Sequence, residues 1–146
     1  MRRPEADLQK LAVSALIDQE LDVDLAETAL ETVGQVTASA IWQRAMASSR
    51  SLVEVPFQTL STPGGPTKAG VPTLLRGLID LVFLEPQGWV IVDYKTDPVP
   101  PSKVKDLVQS YAGQLHVYAD VWQRTVGSPV HEMGLYFTHT SCYVPV

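Results

Sequence analysis

Asp80, Asp93 and Lys95 are the residues of this chain whose types and spacing could do chemistry. All three fall within residues 74–95, LLRGLIDLVFLEPQGWVIVDYK, which read as a β-hairpin. Two apolar runs, 74–84 and 89–94, are joined by Glu85-Pro86-Gln87-Gly88, with Pro and Gly in turn positions. A turn centred on Pro86 and Gln87 pairs Glu85 with Gly88 and, counting outward, sets Asp80 directly opposite Asp93. Lys95 shares a face with Asp93 because strand side chains alternate. The same alternation places Leu78 and Val82 on the Asp80 side and Ile79, Leu81 and Phe83 on the other. Two carboxylates and an ammonium then project together from strands that are apolar on both faces, the pattern of strands buried on both sides. Directly opposed like charges destabilise a sheet, and one ammonium is a poor counter-ion for two carboxylates. A shared divalent metal ion is the simplest remedy.

Other elements must hold this hairpin. Residues 5–47 read as helical, with Leu8, Leu11, Ala12, Ala15 and Leu16 at helical spacing, then Leu25, Ala26, Ala29, Leu30 and Val33. Asp22 or Asp24 is the expected N-cap of the second helix, Gly34 is expected to end or loosen it, and a third short helix is expected over 40–46. All three are read as core-packing helices. Residues 51–60 read as a strand, with Leu52, Glu54 and Pro56 on one face and Val53, Val55 and Phe57 on the other; Pro56 points to an edge or a bulge. Residues 61–70 form a loop by composition. They lack the order of a phosphate-binding P-loop, and Lys68 is read either as a DNA contact or as part of an ordinary connection. Asp97-Pro98 stops the hairpin, and Ser102 is the expected N-cap of a helix running to about Arg124. Its buried stripe is Val104, Val108, Tyr111, Leu115, Tyr118 and Trp122. Gln114 borders that stripe four residues before Tyr118, so the two project from neighbouring points. Residues 132–144 close the chain as a strand, and no role is assigned to His116, His131 or His139.

Three blocks now stand in order: Gly77-Leu78-Ile79-Asp80-Leu81-Val82-Phe83, Ile91-Val92-Asp93-Tyr94-Lys95-Thr96-Asp97 and Gln114-Leu115-His116-Val117-Tyr118-Ala119. Together they resemble the PD-(D/E)XK nucleases, and specifically the nuclease domain at the C-terminus of RecB- and AddA-like, UvrD-type helicase–nucleases. The resemblance covers roughly residues 52–140. It implies an α/β, restriction-endonuclease-like fold, a mixed β-sheet flanked by helices, as the core over 51–146, with residues 1–50 as an N-terminal helical segment. It further implies that Asp80, Asp93 and the main-chain carbonyl of Tyr94 bind Mg²⁺ or Mn²⁺, hard cations that prefer oxygen ligands. Such a metal polarises the scissile phosphate and acidifies a bound water, while Lys95 orients that water or stabilises developing charge. Gln114 and Tyr118 would position Lys95 or the DNA backbone, although Tyr118 reads equally as a core aromatic. Glu54 is either an auxiliary acid near the metal or a solvent-facing residue on an edge strand.

The implied activity is metal-dependent hydrolysis of DNA phosphodiesters in end processing and recombinational repair. The implied partners are DNA, the helicase portion of a parent chain, and a second subunit. Relatives usually add a His ligand from a helix upstream of the Glu54-like strand. Residues 1–50 contain no His, so that ligand is expected before Met1, and the isolated chain is expected to be a poor nuclease. The alternatives are a catalytically silent nuclease-like domain that binds DNA or a partner, and a plain structural domain with a fortuitous charge cluster.

Composition agrees with one globular domain: 146 residues, 45% hydrophobic and 18% charged. The net charge of −5 argues against a protein that coats nucleic acid non-specifically, which would be basic. Cys142 is the single cysteine, so this chain alone builds neither a disulfide framework nor the iron–sulfur cluster that some RecB-like relatives carry. One cysteine, no signal peptide and no long apolar run fit a cytoplasmic protein with no membrane partner, and the resemblance implies that the cytoplasm is bacterial. Rival α/β enzymes are disfavoured by the lack of G-x-G-x-x-G, of G-x-S-x-G and of a His pair at metal-ligand spacing.

Overall fold

The computed structural model describes residues 5–61 and 73–146. Helices α1 (Glu5–Asp18), α2 (Ala26–Ala38) and α3 (Ala40–Ala47) lead into strands β1 (Ser51–Ser61), β2 (Thr73–Glu85) and β3 (Gly88–Lys95). Helix α4 (Val104–Val126) and strands β4 (Val130–Phe137) and β5 (Cys142–Pro145) complete the chain. The sheet runs β1-β2-β3-β4-β5, antiparallel except for the central β3–β4 pair, which is parallel and bridged by α4. The fold is therefore α/β with a mixed sheet, consistent with a restriction-endonuclease-like core.

The hairpin register follows its turn. Glu85 pairs with Gly88 and the ladder runs in step to Leu81 opposite Val92, so Asp80 and Asp93 lie one position further along. Gly88 is needed at the turn: its φ is 141°, and a Cβ there would sit 2.8 Å from the Pro129 carbonyl oxygen. That carbonyl accepts a hydrogen bond from Trp89 N at 3.0 Å, docking the start of β3 beside β4.

Buried side chains form one cluster on each sheet face. On the α4 face, Ile79, Val82, Ile91, Leu135 and Phe137 meet Leu115, Tyr118 and Trp122. On the other face Leu81, Phe83, Val90, Val92 and Tyr136 meet Ile41 and Ala45 of α3. Simple alternation therefore fails in β2, because Ile79 lies on the α4 side while Leu81 and Phe83 lie on the α3 side. The partner strand fails at the same level. Val55 and Phe57 pack against the α4-side cluster, whereas Val53 pairs with Leu81. Both strands keep register yet change faces between these pairs, at Glu54 and Asp80. Glu54 carries the change with φ of 52°, a left-handed conformation that is uncommon for a residue with a side chain.

Several boundaries differ from expectation. Helix α2 passes through Gly34 and stops at Ser39, whose hydroxyl donates to Val36 O at 2.6 Å and accepts from Trp42 N at 3.3 Å. One serine thus ends α2 and caps α3. Asp22 caps a short 3-10 turn over Val23–Leu25 rather than α2 itself. In α1 and α2, only Leu16 and Ala26 of the expected stripes are buried; Leu8, Leu11, Leu25 and Val33 are exposed. Those helices pack on each other, and α3 makes the contact with β2. Ser102 lies in a 3-10 turn (Pro101–Lys103), so α4 has Lys103 at its N-cap with no side-chain capping bond. The expected last strand is two, β4 and β5, separated by a turn in which Ser141 has φ of 48°. The loop containing Lys68 lies outside the described residues.

Candidate active site

Strand β3 alternates strictly over the candidate site. Val92 and Tyr94 face the α3 side, so Asp93 and Lys95 face α4 with Ile91. Asp93 is 3% exposed and is the one buried charged residue among those described. Lys95 Nζ lies 2.7 Å from Asp93 Oδ2, a close ion pair set off the ideal hydrogen-bond direction. Burial pushes the Asp93 carboxyl up, the Lys95 ammonium pulls it down, and the charge of Asp80 pushes it up again.

Asp80 reaches this cluster from β2. Its Oδ2 accepts a hydrogen bond from Tyr94 N at 2.8 Å, so the carboxylate rather than a strand carbonyl satisfies that amide. Asp80 is thereby held beside the Asp93–Tyr94 peptide where the ladder ends. The Tyr94 side chain goes the other way, against Tyr136, with ring centroids 5.6 Å apart at 67°. Its hydroxyl is buried and is pushed up to about 12, by burial first and then by Tyr136 and Asp80.

Helix α4 supplies the third side. Tyr111, Gln114 and Tyr118 lie three and four residues apart, one face of the helix. Gln114 Oε1 accepts from Lys95 Nζ at 3.1 Å, and Gln114 Nε2 donates to the Tyr118 hydroxyl. Lys95 Nζ also lies 3.8 Å from the Tyr111 ring centroid. Tyr118 is 6% exposed and meets Phe57 edge to face at 5.4 Å. Burial is the main reason its hydroxyl is raised; the Gln114 bond opposes the shift, and Asp93 and Asp80 add to it. Gly77 makes this contact possible, because a Cβ there would lie 2.5 Å from the Phe57 ring. At the far end of Lys95, its carbonyl accepts from Thr138 N at 3.0 Å, tying β3 to the β4–β5 turn.

The fold thus gathers Asp80, Asp93, the Tyr94 main chain, Lys95, Gln114 and Tyr118. Glu54 is exposed, at the β1 position level with Asp80. Among the described residues no group of three or more His, Cys, Asp or Glu side chains converges to hold a metal, so Glu54 does not join the two aspartates in such a cluster. The remaining donors, two carboxylates and a carbonyl, are hard oxygens with a net negative charge that one ammonium leaves uncompensated. That fits a hard divalent cation held by few protein ligands.

The pattern reading missed Tyr111 as more than core. It also missed Arg44, which forks onto Glu85 and Glu132 with four contacts of 2.9 Å. Tyr143 donates to Glu132 Oε1 at 2.8 Å, and His131 Nε2 stands 3.4 Å from Glu85 Oε2. This cluster fastens α3 to the turn end of the hairpin, the opposite end from Asp80 and Asp93.

A model of the PD-(D/E)XK nuclease superfamily matches residues 2–143, taking in the N-terminal helices that the three sequence blocks left out. Among curated relatives, the A subunit of the ATP-dependent helicase/nuclease of Carboxydothermus hydrogenoformans is 36% identical over 110 residues, 72% of this chain and 9% of that protein. The A subunits of the same name from Desulforamulus reducens and Pelotomaculum thermopropionicum are 32% and 30% identical, over 68% and 73% of this chain and 8% and 9% of theirs. The chain therefore spans less than a tenth of the length of these relatives. No helix among the described residues is long and apolar enough to cross a membrane. With a family match running almost from end to end across a sheet that gathers the motif residues, this chain belongs to the PD-(D/E)XK nuclease superfamily.

Proposed function

We propose that the chain is the metal-dependent DNA nuclease domain of an AddA- or RecB-like helicase–nuclease, hydrolysing phosphodiesters during end processing and recombinational repair. One observation carries this reading: Asp93, Lys95, Gln114 and Tyr118 form a continuous chain of contacts, with Asp80 anchored on the intervening Tyr94 amide. Asp80, Asp93 and the Tyr94 carbonyl would hold Mg²⁺ or Mn²⁺. Such a cation supplies Lewis-acid polarisation of the phosphate and a more acidic water. Lys95, fixed by Gln114, presents an ammonium where charge develops on the phosphate or the attacking water. Tyr118 holds Gln114 in turn, while Glu54, exposed on β1 and outside the aspartate pair, takes the solvent-facing role.

We divide the chain into a helical segment over 1–50 and a nuclease core over 51–146. Its partners are DNA, the helicase portion and a second, separate polypeptide of the complex, and its compartment is the bacterial cytoplasm. With a net charge of −5, the domain depends on those neighbours to deliver DNA.

That no third acidic or His side chain converges with Asp80 and Asp93 among the described residues favours a second reading, a silent nuclease-like domain that binds DNA or a partner. The test is cleavage of linear and single-stranded DNA by the chain in excess over substrate, with Mg²⁺ or Mn²⁺, beside Asp80→Ala and Asp93→Ala. Weak cleavage lost in both variants, with their fold retained by circular dichroism, is expected. No cleavage and no calorimetric Mn²⁺ binding, with DNA still bound in a gel-shift assay, would favour the silent domain over the nuclease.

A further inference from the structure

We propose that Tyr111 is a positioning residue for Lys95, its ring face forming the third wall of the seat that holds the ammonium. The inference rests on the nuclease reading for its consequence and on geometry alone for its premise. An ammonium offers three N–H directions. Here Asp93 Oδ2 stands at 2.7 Å, Gln114 Oε1 at 3.1 Å, and the Tyr111 ring centroid at 3.8 Å. The Lys95 side chain is 13% exposed, so a cation over this ring is partly desolvated, where attraction to the ring quadrupole is strongest. Asp93 and Gln114 leave one side open, and four rotatable bonds would let the lysine swing out through it. Tyr111 closes that side. If Asp93 held a divalent cation its ion pair with Lys95 would weaken, and the Tyr111 ring and Gln114 would be what keeps the ammonium in place.

Tyr111 is half-buried against the α4-side cluster, so its packing must be separated from its ring face. Tyr111→Phe keeps both, whereas Tyr111→Leu keeps apolar packing and loses the face; Tyr111→Met replaces Leu if that variant does not fold. The primary readout is the Lys95 ε-methylene NMR resonance, assigned by its loss in Lys95→Arg. In the parent chain and in Tyr111→Phe it should be displaced upfield by the ring current, and in Tyr111→Leu it should return to the ordinary lysine position. Metal-dependent cleavage at saturating DNA should fall about tenfold in Tyr111→Leu and stay within about twofold in Tyr111→Phe, with KM unchanged. Lys95 resonances alike in the Leu variant and the parent chain, or equal cleavage by the two, would overturn the proposal. If no form cleaves in an Asp93-dependent way, the nuclease reading fails, and the resonance alone decides whether Tyr111 seats Lys95.

Discussion

Arg44→Met should destabilise the domain by about 2–3 kcal/mol at neutral pH. The guanidinium makes two forked contacts, each atom pair at 2.9 Å, onto Glu85 and Glu132. A hydrogen bond to a charged group contributes about 1.5–3 kcal/mol when enclosed, and an exposed ion pair about 0–1 kcal/mol. The Arg44 side chain is 35% exposed and the two carboxylates 20% and 23%, so each fork falls between those limits, at about 1–1.5 kcal/mol. Methionine keeps much of the stem packing, which isolates the charge. For a domain of this size the loss corresponds to a Tm lower by roughly 5–10 °C. The pH dependence fixes the cause. Arg44 is the main reason that Glu85 and Glu132 both lie below the usual value of 4.5. Stability from a depressed carboxylate is fully present above its unfolded value and disappears as pH falls through the folded one. The gap between parent and variant should therefore be full at pH 6–7 and shrink steadily below about pH 4.5. Thermal melts followed by circular dichroism from pH 3 to 7 measure both quantities. A gap under about 2 °C at pH 7, or one that widens in acid, would refute the reasoning.

Further outcomes follow from the site. Lys95→Ala should abolish cleavage while Mn²⁺ binding, read by electron paramagnetic resonance, is retained; normal cleavage would make Lys95 only a counter-ion. Gly77→Ala must move the Phe57 ring away from Tyr118, and overpacking of this kind costs about 1–2 kcal/mol in a denaturant titration. An unchanged midpoint would show that the ring yields freely.

How much was legible follows from the range over which each feature is decided. The hairpin register could be read because Pro86 and Gly88 fix the turn and apolar alternation carries the count outward. The change of faces at Glu54 and Asp80 could not, because a period-2 reading has no means of placing an interruption. Gln114 announced itself as a polar group beside an apolar stripe, whereas Tyr118 and Tyr111 both looked like stripe members, Tyr118 being singled out by the resemblance alone and Tyr111 only once Lys95 was placed above it. Arg44 gave no signal, since its partners are 41 and 88 residues away. The break between β4 and β5 falls at Thr138-His139-Thr140-Ser141, which holds neither Gly nor Pro, so the usual punctuation was missing. The exposed leucines of α1 and α2 mark the limit of helical periodicity, which detects an apolar face but not what lies against it.

The parallel β3–β4 pair has a consequence in the order of synthesis. Asp80, Asp93 and Lys95 leave the ribosome before Tyr111, Gln114 and Tyr118, and β4 follows later still. At about 5–20 residues per second, the acidic hairpin spends on the order of seconds without its helix. β1 and α3 are already present to pack on it, but the Tyr111 and Gln114 contacts to Lys95 are missing during that interval. The Lys95 seat is completed only when α4 folds back with Tyr111 and Gln114, after which β4 adds beside β3.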